Sequence, residues 1–183
     1  MPGGRQPGQT LHRNWQDSRS RAPGQEVTYG TMSTILVPVD FSPVTNSVVG
    51  AAIALAVPTG SRLVIMHVLQ PPAVVADYGL MGSFVLPVME TMGQAATARL
   101  EKIRSRVEAQ DLLATTAQVT GASSSRMIAS EAEKWKADYI VMGSHGHTGF
   151  YDLLIGSTTG GVLKRAPCPV VIVPAQRKRP RRR

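Results

Sequence analysis

The sequence holds a single cysteine, Cys168. It therefore cannot close an internal disulfide and suits a reducing compartment. It lacks any apolar run of the roughly 18–20 residues that a membrane-spanning helix needs. It also lacks the apolar stretch near the N-terminus that a secretory signal carries. These absences set aside disulfide-stapled secreted domains and integral membrane proteins, and they predict a cytoplasmic chain with no membrane insertion. Excess charge is missing from the middle of the chain. Of the net +8, residues 1–31 carry +2 and residues 176–183 carry +6, while residues 32–175 balance 10 basic against 10 acidic groups. No basic stripe across a folded surface follows from such a distribution. The tail from Arg177 to Arg183 is solubilising, or holds nucleic acid or anionic lipid weakly and in a salt-dependent way.

Residues 1–31 are rich in Gly, Pro, Gln, Ser and Arg without apolar periodicity, and read as a disordered extension, in keeping with an upstream extension of the reading frame. Residues 32–175 then form one domain, followed by the basic tail 176–183. Thr34–Val39 is an apolar run of strand length ending at Asp40. A helical stretch opens at Ser42 or Pro43 and runs through Val57 until Pro58-Thr59-Gly60 stops it. Leu63–Val68 is a second apolar run, as expected of strands covered on both faces. Residues 70–92, with three prolines and two glycines, read as a long connection of the kind used for lids. Its methionines Met81, Met89 and Met92 read as core gap-fillers or as a lid lining.

A helix follows from about Gly93 to Gln110. Ala114–Val119 alternates like a strand near a sheet edge. A helix over Ser124–Lys136 takes a serine cap, Tyr139–Met142 is a fourth strand, Ser157–Lys164 a last helix and Val170–Val173 a fifth strand. The alternation predicts an α/β fold, a doubly wound five-stranded parallel sheet with right-handed crossovers. The expected order is 3-2-1-4-5, which makes the first and fourth strands neighbours, an adjacency that the sequence alone does not prove. Ligands of such sheets sit beyond the carboxyl ends of the strands where the winding reverses. Asp40 and Gly143 stand at two such ends.

Several nucleotide motifs are absent. There is no GxxxxGK[ST] and no GxGxxG, because the glycines fall at 143, 146 and 149. No Ser-Gly-Gly loop accompanies Asp40, and His145-Gly146-His147 is not an HxGH arrangement. Walker-type catalysis, dinucleotide redox chemistry and adenylate transfer therefore lack support. What is present is Gly143 and Gly146 behind a buried strand, then Gly156-Ser157-Thr158 opening a helix. The first can bring bare backbone close to a phosphate chain, and the second offers the unspent N–H groups of a helix start. The Ser157 and Thr158 hydroxyls can cap that helix or bond a phosphate oxygen. Plain turns would also explain the glycines, and helix capping would explain Asp40. Two histidines, His145 and His147, make a weak metal pair without a third ligand. His67 reads as a core or rim histidine and Cys168 as a packed, inert thiol.

The spacing G-2x-G-9x-G-[ST], met by Gly143, Gly146, Gly156 and Ser157, resembles the nucleotide-binding signature of the universal stress protein family. Ile35–Ser42, His67-Val68 and Ala166-Pro167-Cys168-Pro169-Val170 are similar to family segments too, so the likeness covers residues 33–174. The resemblance implies an ATP site, with Mg2+ on the phosphates. In it Asp40 touches ribose or a phosphate-bound metal, the Val68 backbone reads adenine, and Pro38 and Met142 lie near the nucleoside. Gly143, Gly146, Gly156, Ser157 and Thr158 hold the phosphates. It also implies a homodimer through Val170–Val173. No general base or arginine finger is evident, so at most slow ATP hydrolysis is expected. The alternative is a dimeric interaction protein whose nucleotide site is vestigial. The chain departs from the commonest family pattern in having Phe150-Tyr151-Asp152 where basic residues follow Gly149, and in placing Gly160-Gly161 inside the last helix.

Overall fold

The computed structural model describes residues 32–71, 82–144 and 155–175, all within the unit Thr31–Arg183. The expected extension 1–31, the basic tail and the segment carrying Gly146 and both loop histidines lie outside the described residues. Strands β1 (Thr34–Pro38), β2 (Arg62–Leu69), β3 (Ala114–Thr120), β4 (Tyr139–Gly143) and β5 (Val170–Val173) form one parallel sheet in the order β3-β2-β1-β4-β5. Helices α1 (Thr45–Thr59), α2 (Gly82–Glu108), α3 (Ser124–Lys134) and α4 (Ser157–Leu163) alternate with them. None of the described helices is long and apolar enough to cross a membrane.

The apolar runs of the central strands divide their side chains between two cores because successive residues point to opposite faces. Ile35, Val37, Leu63, Ile65 and Val141 pack with α1 and α2, against Val49, Ala52, Leu100 and Val107. Leu36, Val64, Met66, Ile140 and Met142 face the other way, onto Ile128 and Ala132 of α3 and Val162 of α4. Full burial on both faces explains why these strands read as continuous apolar runs. By contrast, β3 at the sheet edge alternates half-buried with exposed residues over much of its length.

Three expectations need correction. The connection after β2 does not extend to residue 92, because α2 begins at Gly82 and carries Pro87 at its sixth position. A proline that early costs only one intrahelical bond, so the turn before it survives. Gly93 sits inside α2, where an added Cβ would come 3.2 Å from the Gln118 side chain of β3, so close helix–sheet approach explains it better than a helix boundary. Met92 is exposed on this helix, not packed in a core. The second correction is at α1, which opens at Thr45 and runs through Pro58 to Thr59. Gly60 closes it in the left-handed conformation, φ 61°, and Ser61 N–H reaches back to the Ala56 carbonyl at 3.2 Å. Third, no hydroxyl caps α3 or α4. Ser123 faces Ser125 across 3.4 Å, and Gly156 is the α4 N-cap residue.

Candidate functional site

A cleft of about 130 Å³ opens at the carboxyl ends of β1, β2 and β4, where the sheet reverses its winding. Pro38, Asp40, Val68, Met142, Gly143 and Thr158 all line it. Ile128 from α3 adds an apolar wall, and Ser42 and Thr45 line the side toward α1. Among the described residues, no lysine or arginine lines the cleft and Asp40 is the one carboxylate that does.

The turn after β1 is held by short-range bonds. Asp40 Oδ1 accepts the Ser42 N–H at 3.0 Å, so the carboxylate shapes the turn and does not cap α1. Phe41 between them takes φ 60°, a left-handed conformation uncommon for a side chain of that bulk. Its ring lies 4.5 Å from the His67 imidazole. His67 Nδ1 in turn is 2.8 Å from the Val39 carbonyl oxygen. His67 is thus a partnered rim residue that fastens the end of β2 to the end of β1.

The two glycine-bearing segments meet at Ser144. Its N–H donates to the Val173 carbonyl at 2.9 Å, and its carbonyl accepts the Gly156 N–H at 3.0 Å. Its hydroxyl accepts the Ala175 N–H at 3.3 Å. The Thr159 hydroxyl donates to the Gly143 carbonyl at 2.9 Å. The start of α4 therefore sits directly against the end of β4. The Gly156 N–H is occupied in this junction. The first N–H to close a bond within α4 is that of Gly160, onto the Gly156 carbonyl. That leaves the N–H groups of Ser157, Thr158 and Thr159 without an intrahelical acceptor.

Thr159 and Thr45 line the cleft without being singled out as site residues by the sequence, and Ser42 figures in the sequence only as a helix start and in a family-like segment. Thr159 is buried and joins two segments, but its sequence neighbourhood only suggests a helix start. Ser42 and Thr45 are buried with hydroxyl oxygens that find no hydrogen-bond partner. The strand-to-helix turn in which both lie was the available signal. Among the described residues no group of three His, Cys, Asp or Glu side chains could hold a metal ion on its own.

The chain matches the universal stress protein family over residues 32–174. It belongs to the universal stress protein family. It is 30% identical over 144 residues to universal stress protein MJ0531 of Methanocaldococcus jannaschii, covering 79% of this chain and 83% of that one. A solved structure of protein MJ0577 from the same organism superimposes with a TM-score of 0.71 at 25% identity, covering 80% of this chain and 98% of that chain. The universal stress protein of Archaeoglobus fulgidus, solved in complex with dAMP, shares the fold at a TM-score of 0.54 and 20% identity, over 78% and 97% of the two chains. A universal stress protein domain thus accounts for the described residues, with the cleft at its winding reversal.

Proposed function

We propose that this universal stress protein binds an adenine nucleotide, ATP, in the cleft between the ends of β1, β2 and β4, and acts as a cytoplasmic nucleotide-responsive regulator. The observation that carries the reading is the Ser144 junction. It sets the unspent N–H groups of α4 beside a cleft that, among the described residues, has apolar walls and a single carboxylate. Apolar walls with a few convergent polar groups are the usual make-up of a small-molecule site. The dAMP complex of the Archaeoglobus fulgidus relative supports the same ligand class.

In this reading adenine lies against Val68, Ile128 and Met142, with the Val68 backbone meeting the base edge. Pro38 flanks the nucleoside and Asp40 accepts from a ribose hydroxyl. The enclosed space is below the roughly 300–1,000 Å³ of a typical ligand site, so the phosphates extend outward past Gly143 to Gly156, Ser157, Thr158 and Gly146. Donors here are backbone N–H groups and hydroxyls, which suit phosphate oxygens. Mg2+ would be carried mainly by the phosphates and water, with the Asp40 carboxylate as the protein group suited to hold it. The site is fitted to hold a nucleotide and not to turn it over quickly. Residues 32–175 are the binding module in this proposal.

Calorimetric titration of the full chain with ATP, with and without Mg2+, tests the proposal. Saturable binding, weakened at least about tenfold by replacing the Ser157 and Thr158 hydroxyls and crowding their N–H groups with Val, is expected. No heat and no thermal stabilisation at millimolar ATP would make the site vestigial. We further propose that two copies pair through β5. It is a four-residue edge strand bonded to β4 on one side, with Val171 39% exposed. Sedimentation should give a dimer that Val171→Lys converts to monomer, and a monomeric wild-type chain at high concentration would refute the pairing.

A further inference from the structure

We propose a second ligand site on the α1–α2 face of the sheet, a groove that takes a small phosphate-bearing molecule or free phosphate. It lies between the first turn of α1 and the C-terminal third of α2, and Ser42, Thr45, Arg99, Lys102 and Arg106 line it together with Phe41. The three cations recur along one side of α2, and among the described residues no carboxylate lines the groove. On the same helix Arg104 is bonded to both Glu101 and Glu108. Glu101 and Glu108, the acids nearest these cations in sequence, are thereby engaged with Arg104 and do not line the groove. Among the described residues, Arg99, Lys102 and Arg106 enter no ion pair. Arg106 Nη1 donates to Asn46 Oδ1 at 3.0 Å, which anchors α2 to the first turn of α1. Arg99 holds its guanidinium 5.4 Å from the Phe41 ring centroid.

Opposite these cations the protein presents donors with nothing to donate to. The start of α1 has no side-chain cap and no acidic residue in its first turn. Thr45 N–H bonds the Ser42 carbonyl and Val48 N–H bonds the Val44 carbonyl, which leaves those of Asn46 and Ser47 unspent. Ser42 and Thr45 are 6% and 8% exposed, and their hydroxyl oxygens are covered and unpartnered. Buried hydroxyls normally find a partner, because covering one without a partner is costly. Two of them in one turn, beside three unpaired cations, match a compact ligand made of acceptors. A phosphate dianion answers every one of these groups, since its oxygens accept from hydroxyl, N–H and guanidinium alike. A neutral or cationic ligand answers none of the charges.

Ser42 and Thr45 also line the nucleotide cleft, whereas Lys102 does not. The test uses that difference. The full chain, labelled with nitrogen-15, is titrated with inorganic phosphate, and with chloride at matched ionic strength as the control. Phosphate should saturably shift the amides of Asn46, Ser47 and Lys102. Lys102→Glu should weaken this binding at least about tenfold by reversing a charge at the site. Thr45→Val should weaken it about tenfold by removing a hydrogen bond to a charged ligand. Without phosphate, Thr45→Val should unfold at the same temperature as wild type or higher, because it deletes a hydroxyl with no partner. Equal shifts with chloride would overturn the site in favour of diffuse attraction. So would phosphate affinity that Lys102→Glu leaves unchanged, which would place the phosphate in the nucleotide cleft instead. The nucleotide reading is followed separately at the amides of Thr158 and Thr159, so either site can fail alone.

Discussion

The Thr159 hydroxyl donates to the Gly143 carbonyl at 2.9 Å across sixteen residues of sequence, and lies 3.3 Å from the Ser144 carbonyl. Thr159 is 2% exposed, so the bond is shielded from water. Removing a donor that serves a buried acceptor costs about 1–3 kcal/mol. Thr159→Val should therefore lower unfolding free energy by that amount, read from urea denaturation. Thr159→Ser, which keeps the hydroxyl, should lose less. If α4 is positioned for its ligand through this bond, nucleotide affinity falls in Thr159→Val and largely survives in Thr159→Ser. Equal stability of wild type and Thr159→Val would show that the bond holds nothing in place.

The two glycines inside α4 look alike in sequence and differ in surroundings. A Cβ on Gly161 would lie 2.6 Å from the Ser125 Cβ, whereas one on Gly160 would meet nothing within 4 Å. Ser125 Cβ is fixed to the backbone of α3, so relief requires the two helices to separate. Gly161→Ala should destabilise by about 1–3 kcal/mol, the usual range for overpacking. Gly160→Ala should stabilise by about 0.4–1 kcal/mol, because the position is helical and open. The two unfolding midpoints should move in opposite directions, and shifts of the same sign would contradict the close α3–α4 contact.

That contrast marks how far the sequence was legible. The strands were legible because Thr34–Pro38, Arg62–Leu69 and Tyr139–Gly143 each bury both faces, which demands a run of apolar residues whatever the tertiary detail. Their parallel pairing followed from the β–α alternation, whereas the adjacency of β1 and β4 was an expectation that alternation alone does not fix. Gly143 and the start of α4 could be paired because both carry residues suited to close backbone approach. Features that depend on what lies opposite were not legible. Gly161 needs Ser125 beside it, and whether the Ser42 and Thr45 hydroxyls find partners depends on what the folded chain packs around their turn. The Thr34 N–H donates to Asp138 Oδ2 at 2.7 Å over 104 residues, a pairing no local pattern announces. The early start of α2 escaped for a different reason, since Pro87 and Gly93 are local signals that tertiary packing overrode.

Cys168, the one thiol, should be a slow nucleophile. Burial raises its pKa above the ordinary thiol value of 9.0, and the negative charge of Asp138 raises it further. Both act in the same direction, because each disfavours the thiolate. The thiolate is the reactive form, so its fraction at neutral pH is lower than in an unfolded chain. Alkylation by iodoacetamide should therefore run slower in the folded protein than in urea at pH 7. The midpoint of its rate–pH profile should lie above pH 9.0. Asp138→Asn can keep an oxygen for the Thr34 N–H while removing the charge, so it should move the rate profile to lower pH without bringing it down to the unfolded value. A profile with its midpoint below pH 9.0 would mean that Cys168 is activated and open to redox or covalent chemistry that its surroundings otherwise oppose.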